Sequence, residues 1–493
     1  MAQELELQKS TTVEYATDEF AALLQKEFKP TTDSKKARIE QAVQTLAQQA
    51  LQDATIVGDD VFSTVDAIIS ALDRKLTEQV NAIIHHPDFQ QLESAWRGLS
   101  YLVSNTSTGK SLKIRVLNMS KSEVGKIFDA NAGAKWDQSP LFKRIYEAEF
   151  GQLGGQPYGA LVCDYYFDHT APDIKVMSGL TKIGAAAHMP IIAGTSPEIL
   201  GMQSWQELGN PRDIAGKFDN SDYMAWRSFR AATDSRYLVL TMPRFLGREL
   251  YGAKTQPVGE FAFEEETGGE HDKHLWVNAS YALAGRITEA FATYGWCTRI
   301  RGVQSGGTVE TLPTAAFPTD DGSIDYKCPT EIAISDRREN ELSTAGFMSL
   351  VHRKNTDQAT FIGAQTVHEP KKYDNSDATA NANLSARLPY IFASCRFAHY
   401  LKCIVRDWVG NSREEAVLER DLQSWINQYV DGAPDTSSEE VKASKPLREA
   451  RVQVIPDEDN PGFYRGIFHL RPHYQFEGMD ISLSMVSRLP GGA

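Results

Sequence analysis

Apolar residues recur every three or four positions at Val61, Val65, Ile68, Ile69, Leu72, Leu76, Val80, Ile83 and Ile84. That spacing lays one continuous stripe along a helix. His85-His86-Pro87 interrupts it, because Pro87 drives the residue before it out of the α region. Pro87 then suits the first turn of a new helix, where no backbone N–H is needed, and Asp88 complements its positive end. Phe89, Leu92, Trp96, Leu99, Leu102 and Val103 make a second stripe. The pattern predicts two amphipathic helices meeting at a fixed corner, an arrangement that describes packing and not chemistry.

Further along, the period changes. Residues 112–116 (LKIRV) alternate apolar and polar, as a strand exposed on one face does. Residues 159–167 (GALVCDYYF), 189–194 (MPIIAG) and 237–242 (YLVLTM) are short, nearly continuous apolar runs, the pattern of strands buried on both faces. Helical stretches at 141–150, 173–187, 223–232 and 277–294 separate them, and a strand pair is expected at 347–352 and 360–367. Strand and helix in alternation predict an α/β layered domain.

A polar break at 373–385 marks the next boundary, followed by helices at 390–408 and 413–429 and a turn-rich linker at 431–446. The end is β-rich: Val452 and Val454, then Phe468 and Leu470, then Ile481, Leu483 and Met485 alternate at strand period. A strand at a chain end with free N–H and C=O groups is available for pairing with another subunit. Near the start, TDEFAALLQKEF carries a narrow stripe of Phe20, Leu23, Leu24 and Phe28, capped by Thr17. So short a helix needs a surface, its own domain or a partner. The expected division is a helical extension at 1–60, an α/β domain at 61–372, and a third region at 373–493 with helices then strands.

With 493 residues, 41% apolar and 24% charged, the chain is long enough for about three soluble domains. Its net charge of −14 argues against nucleic-acid binding, which needs a basic face. No secretory signal and no apolar run of membrane-spanning length are present, so a cytosolic place is expected. Cys163, Cys297, Cys328, Cys395 and Cys403 form no paired spacing and read as reduced thiols.

The motifs that hint at chemistry fail on context. Residues 104–111 end in Gly109-Lys110-Ser111 like a phosphate-binding loop, but Ser104 stands where a glycine belongs. A helix precedes the loop and a strand follows it, the reverse of the order that aims helix N–H groups at phosphates. His271 and His274 sit in a charged loop, and His469 and His473 on a strand broken by Pro472, without companion ligands. Ser196 lacks the glycine of a nucleophile elbow, and Cys395 with His399 shares an apolar helix face that reads as core. No metal, cofactor or catalytic residue is assigned.

The block from His85, His86 and Pro87 through Phe89, Leu92, Trp96 and Arg97 (HHPDFQQLESAWRGLSYLV) resembles the signature of the large subunit of the type VI secretion contractile sheath. The resemblance continues in order through residues 139–167, 189–194, 236–252 and 388–407 to the β-rich end. It implies a phage-tail-sheath-like fold and a structural subunit that co-polymerises with a small sheath subunit, as an obligate heterodimer, into a helical tube around an inner-tube protein. It also implies contraction against baseplate components in the bacterial cytoplasm, and strands exchanged between neighbouring copies, for which the strands at 452–485 are the matching segment. A AAA+ disassembly ATPase that reads an N-terminal helix is implied too, with Phe20, Leu23, Leu24 and Phe28 as the matching stripe. Two alternatives stand beside this reading. One is a nucleotide-binding enzyme using residues 104–111; the other is a sheath protein of another contractile injection machine.

Overall fold

The computed structural model describes residues 41, 61–209, 213–314, 316–318, 324–326, 328–411, 414–456, 464–473 and 475. The proposed N-terminal recognition stripe and the strand at Ile481, Leu483 and Met485 lie outside them. The chain divides into two compact units, Met1–Glu93 with Arg248–Leu275, and Ser94–Gly247 with Trp276–Ala493.

In the first unit, helix α1 (Val61–Ile84) ends where expected, and α2 (Pro87–Ser104) opens with Pro87 and Asp88 in its first turn. The second unit takes up α2 from Ser94. Gly98 is required there, because a Cβ at that position would lie 2.4 Å from the Tyr281 ring. Leu102 is buried in the same apolar cluster as Tyr281.

A six-stranded sheet organises this second unit. Strands β1 (Leu161–Phe167), β2 (Ile191–Thr195) and β3 (Leu238–Met242) lie side by side, followed by β5 (Phe347–His352), β6 (Ala359–Phe361) and β4 (Thr308–Val309). The first four are parallel, with Ile191 beside Leu161 and Leu238, and Leu240 beside Phe347; β6 pairs antiparallel with β5 and β4. Successive residues serve opposite faces. Ile191, Ala193, Leu238 and Leu240 enter one core with helix α3 (Ala171–Ala187), while Ile192 and Val239 enter another with α4 (Ala279–Tyr294). Burial on both faces is why these strands read as unbroken apolar runs.

Three expectations fail. Residues 112–116 are not a strand: the segment pairs with no described strand, and Val116 is exposed. The alternation records a half-buried row, but a strand also needs a partner. The polar break at 373–385 contains helix α5 (Ser376–Ser385), because Asn375 caps it by accepting from the Asp377 and Ala378 N–H groups and alanines fill its interior. Of the second predicted member of the strand pair, only Ala359–Phe361 forms.

A third apolar cluster backs the C-terminal sheet. Helix α6 (Leu388–Trp408) contributes Phe397 and Leu401, and α7 (Glu415–Asn427) contributes Leu422 and Ile426. They pack on a two-stranded antiparallel sheet, β7 (Leu447–Pro456) with β8 (Tyr464–Pro472), through Val452 and Val454. The linker at 431–446 includes a one-turn helix, Glu439–Ser444, capped by Ser438.

Candidate assembly sites

The helix corner is built around one guanidinium. Arg248 donates from Nε to Glu93 Oε1 at 2.9 Å and from Nη2 to Glu265 Oε1 at 3.0 Å, while Nη1 donates to Glu265 Oε2. The Arg248 and Glu265 side chains are 4% and 0% exposed, so both charges are withdrawn from water and depend on each other. His85 Nε2 lies 3.3 Å from Glu265 Oε1, the Tyr251 N–H donates to Glu265 Oε2 at 3.0 Å, and the guanidinium lies 4.4 Å from the Tyr251 ring centroid. Burial raises the Glu265 carboxyl's pKa, but the Arg248 bonds together with Tyr251 and His85 outweigh it and hold the group below the usual range. Asn81 adds two bonds, from Nδ2 to the Glu264 carbonyl at 3.1 Å and to Oδ1 from the Glu266 N–H at 3.2 Å.

The signature residues therefore divide. His85 turns inward to Glu265. His86 is exposed, and its Nδ1 accepts from the Asp88 N–H at 3.3 Å. Arg97 is half-buried. The second stripe divides as well. Leu99 and Leu102 join the interior, but Phe89, Leu92 and Trp96 are 38%, 57% and 66% exposed. On the first unit, Ala82, Ile83, Phe89 and Leu92 line a shallow apolar hollow edged by Gln79, His86 and Asp88.

The C-terminal sheet holds the other named residues. Val452 and Val454 are buried, and Phe468 and Leu470 pack partly against the same cluster, so these four side chains serve the chain's own core. What the sheet can offer another chain is its backbone edge. On the β7 side that edge is occupied by α7: the Val452 N–H donates to Gln423 Oε1 at 2.8 Å, the Val454 N–H to Glu419 Oε2 at 3.0 Å, and Gln423 Nε2 to the Ala450 carbonyl at 3.0 Å.

The chemical candidates stay structural. Around residues 104–111, α2 precedes the loop and no helix begins until Lys121; Gly109 donates to the Leu112 carbonyl at 2.8 Å, and Thr106 is buried 2.9 Å from the Thr288 hydroxyl. Cys395 is pushed up to about 12 by burial, and His399 down to about 4, chiefly by burial, with its Nε2 at 2.8 Å from the Ala187 carbonyl. His274 Nδ1 lies 3.1 Å from the Glu270 carbonyl. Among the described residues no group of three or more His, Cys, Asp or Glu is placed to hold a metal, and no helix is long and apolar enough to cross a membrane.

Sequence reasoning missed Arg248, Glu265, Glu93, Glu419 and Gln423. Glu419 and Gln423, one helical turn apart on the face toward β7, were the only spacing signal; nothing in the spacing links Arg248 to Glu265 or Glu93.

The described residues form a layered α/β unit and, near the chain end, a two-stranded sheet backed by helices. The chain belongs to the EvpB/VC_A0108 tail sheath family: its N-terminal domain matches residues 66–368, and its gpW/gp25-like domain matches residues 377–489. It is a structural subunit of a contractile sheath. A relative, the type VI secretion system sheath protein TssC1 of Pseudomonas aeruginosa (strain PAO1), is 58% identical over 484 residues, covering 98% of this chain and 97% of that protein. Two solved structures also align: the anti-feeding prophage baseplate (11% identity, TM-score 0.37, 77% of this chain and 84% of that one) and its contracted helical sheath (12%, 0.33, 78% and 85%).

Proposed function

We propose that this chain is the large component of a type VI secretion sheath. It pairs with a small sheath subunit in the bacterial cytoplasm and polymerises head to tail into a helical tube around an inner tube. Contraction of that tube drives the inner tube and its cargo outward. The work is mechanical and needs no catalytic residue; an open helix requires contacts that do not close into a fixed ring. Residues 1–60 serve as an outer extension, 61–372 as the main sheath domain and 373–493 as the linkage region. Linkage between copies runs through the C-terminal strands, with Ile481, Leu483 and Met485 on the arriving strand. The observation that carries this reading is the two-stranded sheet at the chain end, whose β8 edge has no partner strand among the described residues. The exposed faces of Phe89, Leu92 and Trp96 support burial against another sheath component.

Negative-stain microscopy of the chain co-expressed with its small partner tests the proposal. Hollow tubes are expected from the full chain, and none after deletion of the residues beyond Gly462, with the small partner still soluble. Normal tubes from the truncated chain would refute the linkage. For the N-terminal stripe, Phe20→Ala with Leu24→Ala is expected to stop disassembly by a AAA+ ATPase while tubes still form; disassembly at the normal rate would remove that assignment.

A further inference from the structure

We propose that Glu419 and Gln423 close one edge of the C-terminal sheet, so that strands from other subunits add only along the Tyr464–Pro472 edge. The proposal rests on the linkage reading for what arrives; what it adds is where arrival is allowed.

In an antiparallel pair, alternate residues turn their N–H and C=O groups toward the partner strand or away from it. Ala450, Val452 and Val454 stand opposite Leu470, Phe468 and Gly466, and their bonds to Gln423 and Glu419 show them turned away. The Gln423 amide gives one donor to the Ala450 carbonyl and one acceptor to the Val452 N–H. That is what the peptide group of an adjacent strand would supply. Glu419, one turn earlier, reaches the next outward N–H at Val454. The spacing fits, because four residues of helix advance about 6.0 Å and two residues of strand about 6.8 Å. A strand displacing these side chains would break three hydrogen bonds. It would also bring carbonyls, which accept, toward the Glu419 oxygen that already serves as an acceptor. This is edge protection by side chains on a packed helix.

The opposite edge differs. Gly466, Phe468 and Leu470 turn their peptide groups outward, and no described residue supplies them a hydrogen-bond partner. The occupant is the tail of a second copy, residues 480–489, with its strand-period alternation. On the receiving chain the Gln475 N–H donates to the Tyr390 hydroxyl at 2.9 Å, and its Nε2 to the Thr298 carbonyl at 2.8 Å. The chain is thus fastened three residues past β8.

Amide hydrogen exchange at single-residue resolution, on the full chain with its small partner before and after polymerisation, tests this. Val452 and Val454 are expected to be slow in both states, and Phe468 and Leu470 to slow by about tenfold or more only in tubes. Glu419→Ala with Gln423→Ala is expected to speed Val452 and Val454 by about tenfold before polymerisation, whereas Glu419→Gln, which keeps an acceptor, leaves Val454 slow. Unchanged slow exchange in the double variant would overturn the sealing role. Slow Phe468 and Leu470 before polymerisation would mean the chain's own tail fills the edge. Both results leave the linkage reading standing. Tubes in which Phe468 and Leu470 stay fast would overturn the linkage reading as well.

Discussion

At the helix corner, Arg248 lies between Glu93 and Glu265, with His85 and Tyr251 against the same carboxylate, and the group faces inward. At the C-terminal sheet, the polar side chains Glu419 and Gln423 lie on a strand edge and cover half of what a neighbour could use. One region uses buried charge to hold the angle between two helices. The other keeps an apolar face inside and sets two polar side chains of α7 along one strand edge. A buried ion pair set against well-packed apolar groups is weak evidence of net stability, but losing one partner is costly. The corner should therefore be brittle toward single charge changes, and the sheet brittle toward cavities.

The largest effect that would test this contrast is Arg248→Met. It strands the Glu265 carboxylate, which is wholly buried, and is expected to cost about 4 kcal/mol in urea unfolding. Glu265→Gln added to it should recover part of the loss. A loss under about 1 kcal/mol would mean that the charges are paired but unimportant. Next, Ile426→Ala, at a fully buried position behind β7, is expected to cost about 3 kcal/mol, with little relief from any charge change.

Acid should separate the regions by pH. His399, on the helix behind the sheet, is held at about 4, below its ordinary 6.5, mainly by burial, with His188, Arg396 and Lys402 adding repulsion. Its contribution is complete above pH 6.5 and is lost as pH falls toward 4, by roughly 2 kcal/mol after allowance for its partial exposure. Glu265, held below its ordinary 4.5, contributes above that pH and fades only under stronger acid. Between pH 6.5 and 4.5, protection relative to the intrinsic amide exchange rate should fall along Leu388–Trp408 and not around residues 81–93, and His399→Gln should flatten the response. The smallest effect is expected from Lys175→Ala. Its pairing with Asp129 is half-exposed on both sides, so unfolding should shift by less than about 0.5 kcal/mol.

Much of the frame was legible, and the reasons are specific. Residues 189–194 and 237–242 are apolar throughout because both faces of β2 and β3 are covered, and Pro87 marks the corner because its ring excludes a continuous helix. Which half of the second stripe stays uncovered was not legible, since Leu102 and Leu92 carry the same spacing whichever molecule buries them. Nor was the charge cluster. Glu264, Glu265 and Glu266 look alike in sequence, and only the fold selects the middle one for Arg248. Residues 112–116 misled because alternation reports exposure, while a strand is made by its neighbour.

The guanidinium that locks the corner also sets an order of events during synthesis. Arg248 follows Glu93 by 155 residues. At about 5–20 residues per second, the ribosome makes the two helices roughly 8–30 s before it makes the residue that fixes their angle. For that interval His85 and Glu93 exist without Arg248 and Glu265, and the apolar side chains of Ile83, Phe89 and Leu92 are already outside the exit tunnel. The nascent chain thus passes through a stage in which this apolar surface exists before its hinge is set, and a chaperone or an early-binding partner has that window in which to act.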